Sequence, residues 1–333
     1  MQTPSTMRAL LQTSYRGPQD LGLMTDAPVP NPGPGEVLIR VTAAGLNFLD
    51  LSRSRGEAGD WSPRPPYVAG IEGAGEVVAV GEGVTSPGPG AHVIGVGANG
   101  GAFAEYMVLA AAGAVPVPSG WGDEQAVGLC VSWPAALAAL RPFGDLKGGQ
   151  TVLIHAAAGG TGQAAVTMAK HYGATVIGTA SPGKHDLLRT LGADHVIDSR
   201  GADIAAEVLQ LTGGAGVDLV LESAGGANFQ ASLAAAKRVT GKVVVFGVAG
   251  GAATLTNWDL VYRHQIQLIG LNLGTLIRSA PQIFGEVMAE MFGLLATGVL
   301  GPGRPTTYPL ADGPRALADL EARATVGKLA LLP

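Results

Sequence analysis

Thr151–Lys170 reads TVLIHAAAGGTGQAAVTMAK, and the order of residue types in it decides the fold. Val152, Leu153 and Ile154 form a short apolar run of strand type. A turn of small residues follows, and then an alanine-rich run of good helix formers. Strand, glycine turn and helix start, in that order, build a grip for a pyrophosphate. The first N–H groups of a helix have no partner within it, and the helix dipole adds positive potential there. Gly159, Gly160, Thr161 and Gly162 are the residues that would hold the phosphates. A Cβ at Gly159 or Gly162 would push the backbone away from the ligand or from the strand. The strict dinucleotide motif wants a glycine where this chain has Ala157, and an ordinary strand-to-helix loop is the competing reading of the turn taken alone.

The rest of the chain supplies the setting. At 333 residues it exceeds what one core usually holds, so two domains are expected. With 47% hydrophobic and 14% charged residues, it has the composition of a well-buried globule. A net charge of −5, with no dense run of Lys or Arg, argues against a nucleic-acid or anionic-membrane surface. The single cysteine, Cys130, excludes a disulfide framework and a four-thiolate zinc site. No apolar run reaches transmembrane length, and MQTPSTMRALLQTSY lacks the basic-then-apolar order of a signal peptide. A cytoplasmic enzyme acting on a small molecule is the expectation.

Residues 1–120 read as β-rich: Val37–Val41, Glu76–Val80 and His92–Val96 are strand runs set off by Gly/Pro turns. From about Trp121 helices and strands alternate, with strand runs at 151–155, 174–178, 195–197, 217–221, 242–246 and 265–270. That pattern predicts a doubly wound parallel sheet. An amphipathic helix around Ala280–Ala296 and a final strand, Lys328–Leu332, complete the chain. The fold class is α/β. A dinucleotide domain, 121–271, is inserted into a β-rich domain of 1–120 and 272–333, with the active site expected in the cleft between them.

The whole chain resembles the medium-chain dehydrogenase/reductase superfamily, and within it the zinc-independent, zeta-crystallin-like quinone oxidoreductases. Three segments carry the likeness: Val37–Asp50 (VLIRVTAAGLNFLD), Gly70–Val84 (GIEGAGEVVAVGEGV) and His155–Gly162 (HAAAGGTG). The end, EARATVGKLALLP, is also similar to the family's. The resemblance implies a GroES-like catalytic domain carrying an inserted Rossmann domain. Zinc alcohol dehydrogenases have Cys where this chain has Asn47 and His where it has Ile71, and the cysteine cluster of their structural zinc lobe is absent. Neither Asn nor Ile suits catalytic zinc, so no metal is expected. His92 and Glu72 are read as a strand residue and a buried, hydrogen-bonded carboxylate.

Cofactor choice is read at the end of the second strand of the inserted domain. An NAD enzyme generally places an acid there, about twenty residues past the glycine turn, to bind the ribose 2′-hydroxyl. This chain has Gly178-Thr179-Ala180-Ser181-Pro182-Gly183-Lys184, and Asp186 falls in the following helix. An acid would repel a 2′-phosphate, whereas Ser181 and Lys184 would bind it, so NADPH is the expected cofactor. The resemblance adds Arg200 and Arg323. Ser223, Phe246, Gly247, Val248, Leu271 and Leu273 follow the fourth, fifth and sixth strands and should line the cofactor site, because ligands bind at strand carboxyl ends in such sheets.

Asn47 corresponds to the family's polar contact at the nicotinamide or substrate carbonyl, where an amide can donate to an oxygen gaining charge. A turn-capping Asn is the plainer reading. Asp50 is read as a helix N-terminal, orienting residue. The family often has Tyr where this chain has Ser52, Thr at Ala135 and Tyr at Ser199, so no protein proton donor is assigned. Arg53–Arg55 and Asp60–Pro63 are read as a mobile loop over the substrate. The expected activity is NADPH-dependent, zinc-independent reduction of quinones or activated alkenes. A non-catalytic NADPH-binding protein and a zinc alcohol dehydrogenase are the alternatives. The apolar edge run Gln265–Gly270 suggests a homodimer.

Overall fold

The computed structural model describes residues 3–97 and 99–333. Two compact units divide the chain: one ends at Val131 and resumes at Pro302–Pro333, and the other is Ser132–Gly301.

The first unit begins with β1 (Thr6–Gln12), β2 (Leu21–Pro28) and β3 (Glu36–Leu46), followed by α1 (Phe48–Ser54). Five strands follow: β4 (Tyr67–Val68), β5 (Glu72–Val80), β6 (His92–Val96), β7 (Tyr106–Ala110) and β8 (Val115–Pro116). A short α2 (Asp123–Ala126) precedes the crossing into the second unit. The central strand is β3, long and largely buried, paired antiparallel to β5 and β7 with two register shifts against β5. Those strands approach closely at Gly75, where a Cβ would lie 1.9 Å from the Arg40 carbonyl oxygen. This explains part of the glycine spacing in Gly70–Val84. Leu10, Ile39, Phe103, Met107 and Leu331 fill the core beneath the sheet.

The second unit opens with α3 (Ser132–Leu140) and then alternates: β9 (Thr151–Ile154), α4 (Gly160–His171), β10 (Thr175–Ala180), α5 (His185–Thr190) and β11 (His195–Asp198). It continues with α6 (Ile204–Leu211), β12 (Leu219–Glu222), α7 (Gly226–Ala235), β13 (Lys242–Val245) and β14 (Gln267–Gly270). Helices α8 (Leu273–Ser279) and α9 (Pro281–Ala296) close it. All six strands run parallel in the order β11-β10-β9-β12-β13-β14. Counted from β9 this is 3-2-1-4-5-6, the dinucleotide-binding order, and the strand order reverses between β9 and β12. Runs such as Val152-Leu153-Ile154 and Leu219-Val220-Leu221 are buried, as parallel strands covered by helices must be.

The chain then returns to the first unit with β15 (Thr306–Pro309), α10 (Gly313–Glu321) and β16 (Leu329–Leu332). β16 pairs antiparallel with β3, Leu329 opposite Leu46. Both unit boundaries differ from the 120/121 and 271/272 read from sequence. Residues up to Val131 stay with the first unit because α2 is tied there: Thr42 Oγ1 donates to Asp123 Oδ2 at 2.5 Å. Residues 272–301 stay with the second because α9 packs on α3, with Arg141 Nε and Tyr172 Oη donating to Glu290 at 3.1 and 2.7 Å. Among the described residues no helix is long and apolar enough to cross a membrane.

Candidate functional site

The glycine turn is a strained, tightly packed corner. Ala156 adopts φ 49°, unusual for a residue with a Cβ, and Gly159 N–H donates to its carbonyl at 2.9 Å. Helix α4 then starts at Gly160, so the Gly160, Thr161 and Gly162 amides form its first turn. A Cβ on Gly162 would lie 2.4 Å from the Ala156 oxygen and 2.6 Å from Ala157 Cα, so only glycine lets the helix sit against the turn. Ala157 is fully buried, and its methyl lies 3.1 Å from where a Cβ on Gly178 of β10 would be. The glycine missing from the turn is thus offset by one on the neighbouring strand.

The end of β10 turns through Ser181 into a short 3-10 turn, Pro182–Lys184. β11 ends beside it, with Ala180 opposite Asp198 and Ser199 N–H donating to the Ala180 carbonyl at 3.0 Å. This brings Arg200 towards Lys184. Burial, and then the Arg200 guanidinium, hold the Lys184 ammonium below its ordinary pKa. Two cations close enough to disfavour each other suit a 2′-phosphate dianion. Asp186 lies in α5, its side chain 99% exposed and paired with Arg189.

The loops after β12 and β13 are packed against one another. Ala249 N–H donates to the Ser223 carbonyl at 3.4 Å, and a Cβ on Gly247 would lie 2.5 Å from that oxygen. Phe246 and Gly247 are partly buried and Val248 is exposed. Leu271 N–H donates to the Val245 carbonyl at 2.8 Å, and Leu273 opens α8, capped by Asn272. Topology therefore brings Gly159–Gly162, Ser181, Lys184, Arg200, Ser223, Phe246–Val248, Leu271 and Leu273 to the carboxyl end of one sheet. Arg323 is not in that unit; it follows α10 in the first, at φ 55°.

Beneath these loops lies a buried chain of polar groups that sequence reasoning missed. His155, Thr179, Glu222 and Ser232 are at most 2% exposed. Glu222 Oε1 accepts the Ala224 and Gly225 N–H groups at 2.6 Å each, and Oε2 accepts the Ser232 hydroxyl at 2.6 Å. His155 Nε2 faces Ser232 Oγ at 2.9 Å, and its Nδ1 faces Thr179 Oγ1 at 3.3 Å. Burial lowers the His155 pKa, opposed by the Glu222 charge, so the imidazole is neutral at pH 7. One direction of donation satisfies every member: Thr179 to His155 Nδ1, His155 Nε2–H to Ser232, and Ser232 to Glu222. The only sequence signal was polar residues closing apolar strands, at His155 and Glu222.

The first unit holds a second cluster at the end of β3. Asn47 precedes α1, and its backbone N–H donates to Asp50 Oδ2 at 2.8 Å, which makes Asp50 the orienting residue expected of it. Burial pushes the Asp50 carboxyl up to about 7. The Asn47 side chain does not cap the helix. Its Oδ1 accepts from Lys328 Nζ at 2.6 Å, while Nδ2 donates to the Gly45 carbonyl and Glu72 Oε2 at 3.2 and 3.3 Å. Lys328 Nζ also reaches Glu72 Oε2 at 2.7 Å. Glu72 Oε1 accepts Gly128 and Cys130 N–H at 2.9 and 3.3 Å, so this carboxylate is buried and hydrogen-bonded as read from sequence. Two strand registers assemble the cluster: Gly45 pairs with Glu72, and Leu329 with Leu46. Lys328, 281 positions from Asn47, was not singled out from sequence. Burial pushes the Cys130 thiol up, keeping it protonated.

One other reading is amended, and the strand reading of His92 holds. Arg53 and Ser54 belong to α1 and are buried, and Arg53 Nε donates to the Trp61 carbonyl at 2.5 Å, so the two halves of the supposed loop are tied together. His92 sits at the start of β6 and contacts Asp123 at 2.9 Å.

Comparison with known proteins follows the same division. Residues 33–119 match the alcohol dehydrogenase GroES-like domain family, and residues 160–292 the family described as zinc-binding dehydrogenase. A mycobacterial protein solved with NADPH shares 35% identity at a TM-score of 0.91, covering 98% of this chain and 100% of that one. The Escherichia coli quinone oxidoreductase, also solved with NADPH, shares 31% at 0.90 over 98% and 100%. A mycocerosic acid synthase-like polyketide synthase of Mycobacterium tuberculosis is 36% identical over 303 residues, 90% of this chain. This chain spans only 14% of that synthase's length. The glycine corner, the first-turn amides and the Lys184–Arg200 pair fit NADPH, the cofactor that both structural relatives carry. The chain belongs to the medium-chain dehydrogenase/reductase superfamily and, within it, to the zeta-crystallin-like quinone oxidoreductase family.

Proposed function

We propose that this chain reduces quinones or α,β-unsaturated carbonyls with NADPH and without zinc. The observation that carries the reading is the Asn47 cluster, where an amide and an ammonium meet 2.6 Å apart. Zinc alcohol dehydrogenases place a cysteine ligand at that position, and Asn47 and Ile71 offer no comparable ligand. Glu72 is already committed to Lys328, Gly128 and Cys130. The positive charge of the ammonium, held beside the amide, suits an oxygen that gains negative charge.

Bound NADPH supplies the hydride, and with it both electrons. In this proposal Gly159–Gly162 hold its pyrophosphate, Ser181, Lys184 and Arg200 its 2′-phosphate, and the loops at Ser223, Phe246–Val248, Leu271 and Leu273 its nicotinamide half. Arg323 is proposed as a further contact. Asn47 orients the acceptor's oxygen. The expected result is NADPH oxidation by a quinone or an enone, measured by loss of reduced-nicotinamide absorbance and unchanged by chelator. Activity lost to chelator and restored by zinc would overturn the metal-free reading. Tight NADPH binding with no turnover across quinones, enones and enoyl thioesters would favour a non-catalytic role.

A homodimer is proposed on a separate observation. β14 is an edge strand, and Leu268 on it is exposed. Trp258 and Tyr262, in the segment just before it, are 60% and 67% exposed. An open edge beside exposed aromatic residues suits strand pairing with a second copy. Sedimentation is expected to give a dimer, and Leu268→Pro, which bars a ladder bond, a monomer.

A further inference from the structure

We propose that Lys328 is the acid that protonates the acceptor's oxygen, with Asn47 and Glu72 holding its ammonium in place. The inference rests on the reductase reading above and supplies the proton donor which that reading lacks.

Three observations lead to the lysine. The first is placement. Lys328 Nζ lies 2.6 Å from Asn47 Oδ1 and 2.7 Å from Glu72 Oε2, with its side chain 10% exposed. The second is the room made for it. A Cβ on Gly45 would lie 3.0 Å from Lys328 Cε and 2.5 Å from Glu72 Oε2, so the glycine leaves space for both partners of the ion pair. The third is cost. Removing an ammonium and a carboxylate from water costs several kcal/mol, and apolar residues of similar size would often serve stability as well. A buried pair at the residue proposed to orient substrate therefore points to chemistry.

The other proton carriers of this cluster are less well placed. Cys130 is directed at the Ile94 carbonyl, 3.6 Å away, and burial pushes its thiol up. Asp50 faces the Asn47 backbone rather than its amide side chain.

The step balances as follows. When hydride adds to the acceptor's carbon, a C–H bond forms and an electron pair moves onto the acceptor's oxygen. The Lys328 N–H bond breaks as the O–H bond forms, leaving a neutral amine that takes a proton from water. NADPH is oxidised and the acceptor is reduced. The side chain keeps 10% of its surface exposed, and the Glu72 carboxylate favours recovery of the ammonium's charge.

Lys328→Arg tests the step because arginine keeps the charge and both contacts but does not give up a proton at working pH. This variant should melt and bind NADPH like the parent while kcat falls by roughly 100-fold, the usual contribution of a positioned acid. Lys328→Ala should fall at least as far, and added methylammonium should restore part of its rate, which a purely structural lysine would not allow. A second readout needs no turnover and no variant. 4-Nitrophenol, whose ionised form is yellow, should bind wild-type protein as the anion at a lower pH than in free solution. A parent-like kcat for Lys328→Arg, no methylammonium rescue, or an unshifted nitrophenol titration would overturn the inference and leave the reductase reading standing. A wild-type protein inactive on every acceptor would overturn both.

Discussion

Lys184→Ala combined with Arg200→Ala is expected to weaken NADPH binding by about 100-fold and to leave NADH binding nearly unchanged. Lys184 follows the second strand of the sheet and Arg200 the third, and each is proposed to meet the phosphate group that distinguishes the two cofactors. A charge-assisted hydrogen bond is worth about 1.5–3 kcal/mol, less where water screens it, and about 1.4 kcal/mol is tenfold in affinity. Two partly exposed contacts should therefore be worth about 3 kcal/mol. Burial first, and then repulsion by Arg200, depress the Lys184 pKa; the repulsive part is relieved when the dianion arrives, so the two substitutions should not simply add. Fluorescence titration of both cofactors measures the effect. Equal losses for NADPH and NADH would show that these residues hold the fold of the loop and not the 2′-phosphate.

The other large effect is expected at Glu222. Glu222→Ala removes the acceptor for two backbone amides and one hydroxyl, all in a site closed to water. Each orphaned donor costs about 1–3 kcal/mol, and the losses do not simply add because the groups share one cavity. A destabilisation of about 4 kcal/mol is expected, which in a unit of this size lowers the melting temperature by roughly 10 °C. NADPH affinity should fall with it, because Ala224 and Gly225 belong to the loop proposed to carry the nicotinamide half. Glu222→Gln should lie between, since its carbonyl can still serve the amides while its NH2 meets a hydroxyl already receiving His155 Nε2–H. Differential scanning calorimetry of the two variants decides it. A parent-like melting temperature for Glu222→Ala would show that the polar chain contributes nothing.

Local order along the chain was largely legible in sequence. The glycine turn, the six parallel strands and the helix at Pro281–Ala296 were readable because each is a short-range pattern. The β-rich half was read only in part. Val37–Val41 was visible, but β3 continues to Leu46 through Thr42, Ala43, Ala44 and Gly45, residues with weak strand preference that pairing with β5 and β16 holds extended. Contacts set by register could not be read. Nothing in the sequence says that β16 lies beside β3 with Leu329 opposite Leu46, so Lys328 gave no sign of meeting Asn47. The His155–Glu222 chain depends in the same way on β9 and β12 being neighbours, which is where the sheet reverses its order. The later boundary was missed because α9, amphipathic in sequence, gives no indication of which core its apolar face covers.

The late position of β16 bears on how the molecule matures. Ser132–Gly301 leaves the ribosome ahead of Lys328, so the nucleotide-binding unit has every strand of its sheet while β3 still lacks its last neighbour. Domains generally fold as units during synthesis. The nascent chain would thus be able to take up its cofactor before Asn47 is clamped, and the acceptor's side of the enzyme would be the last to become competent.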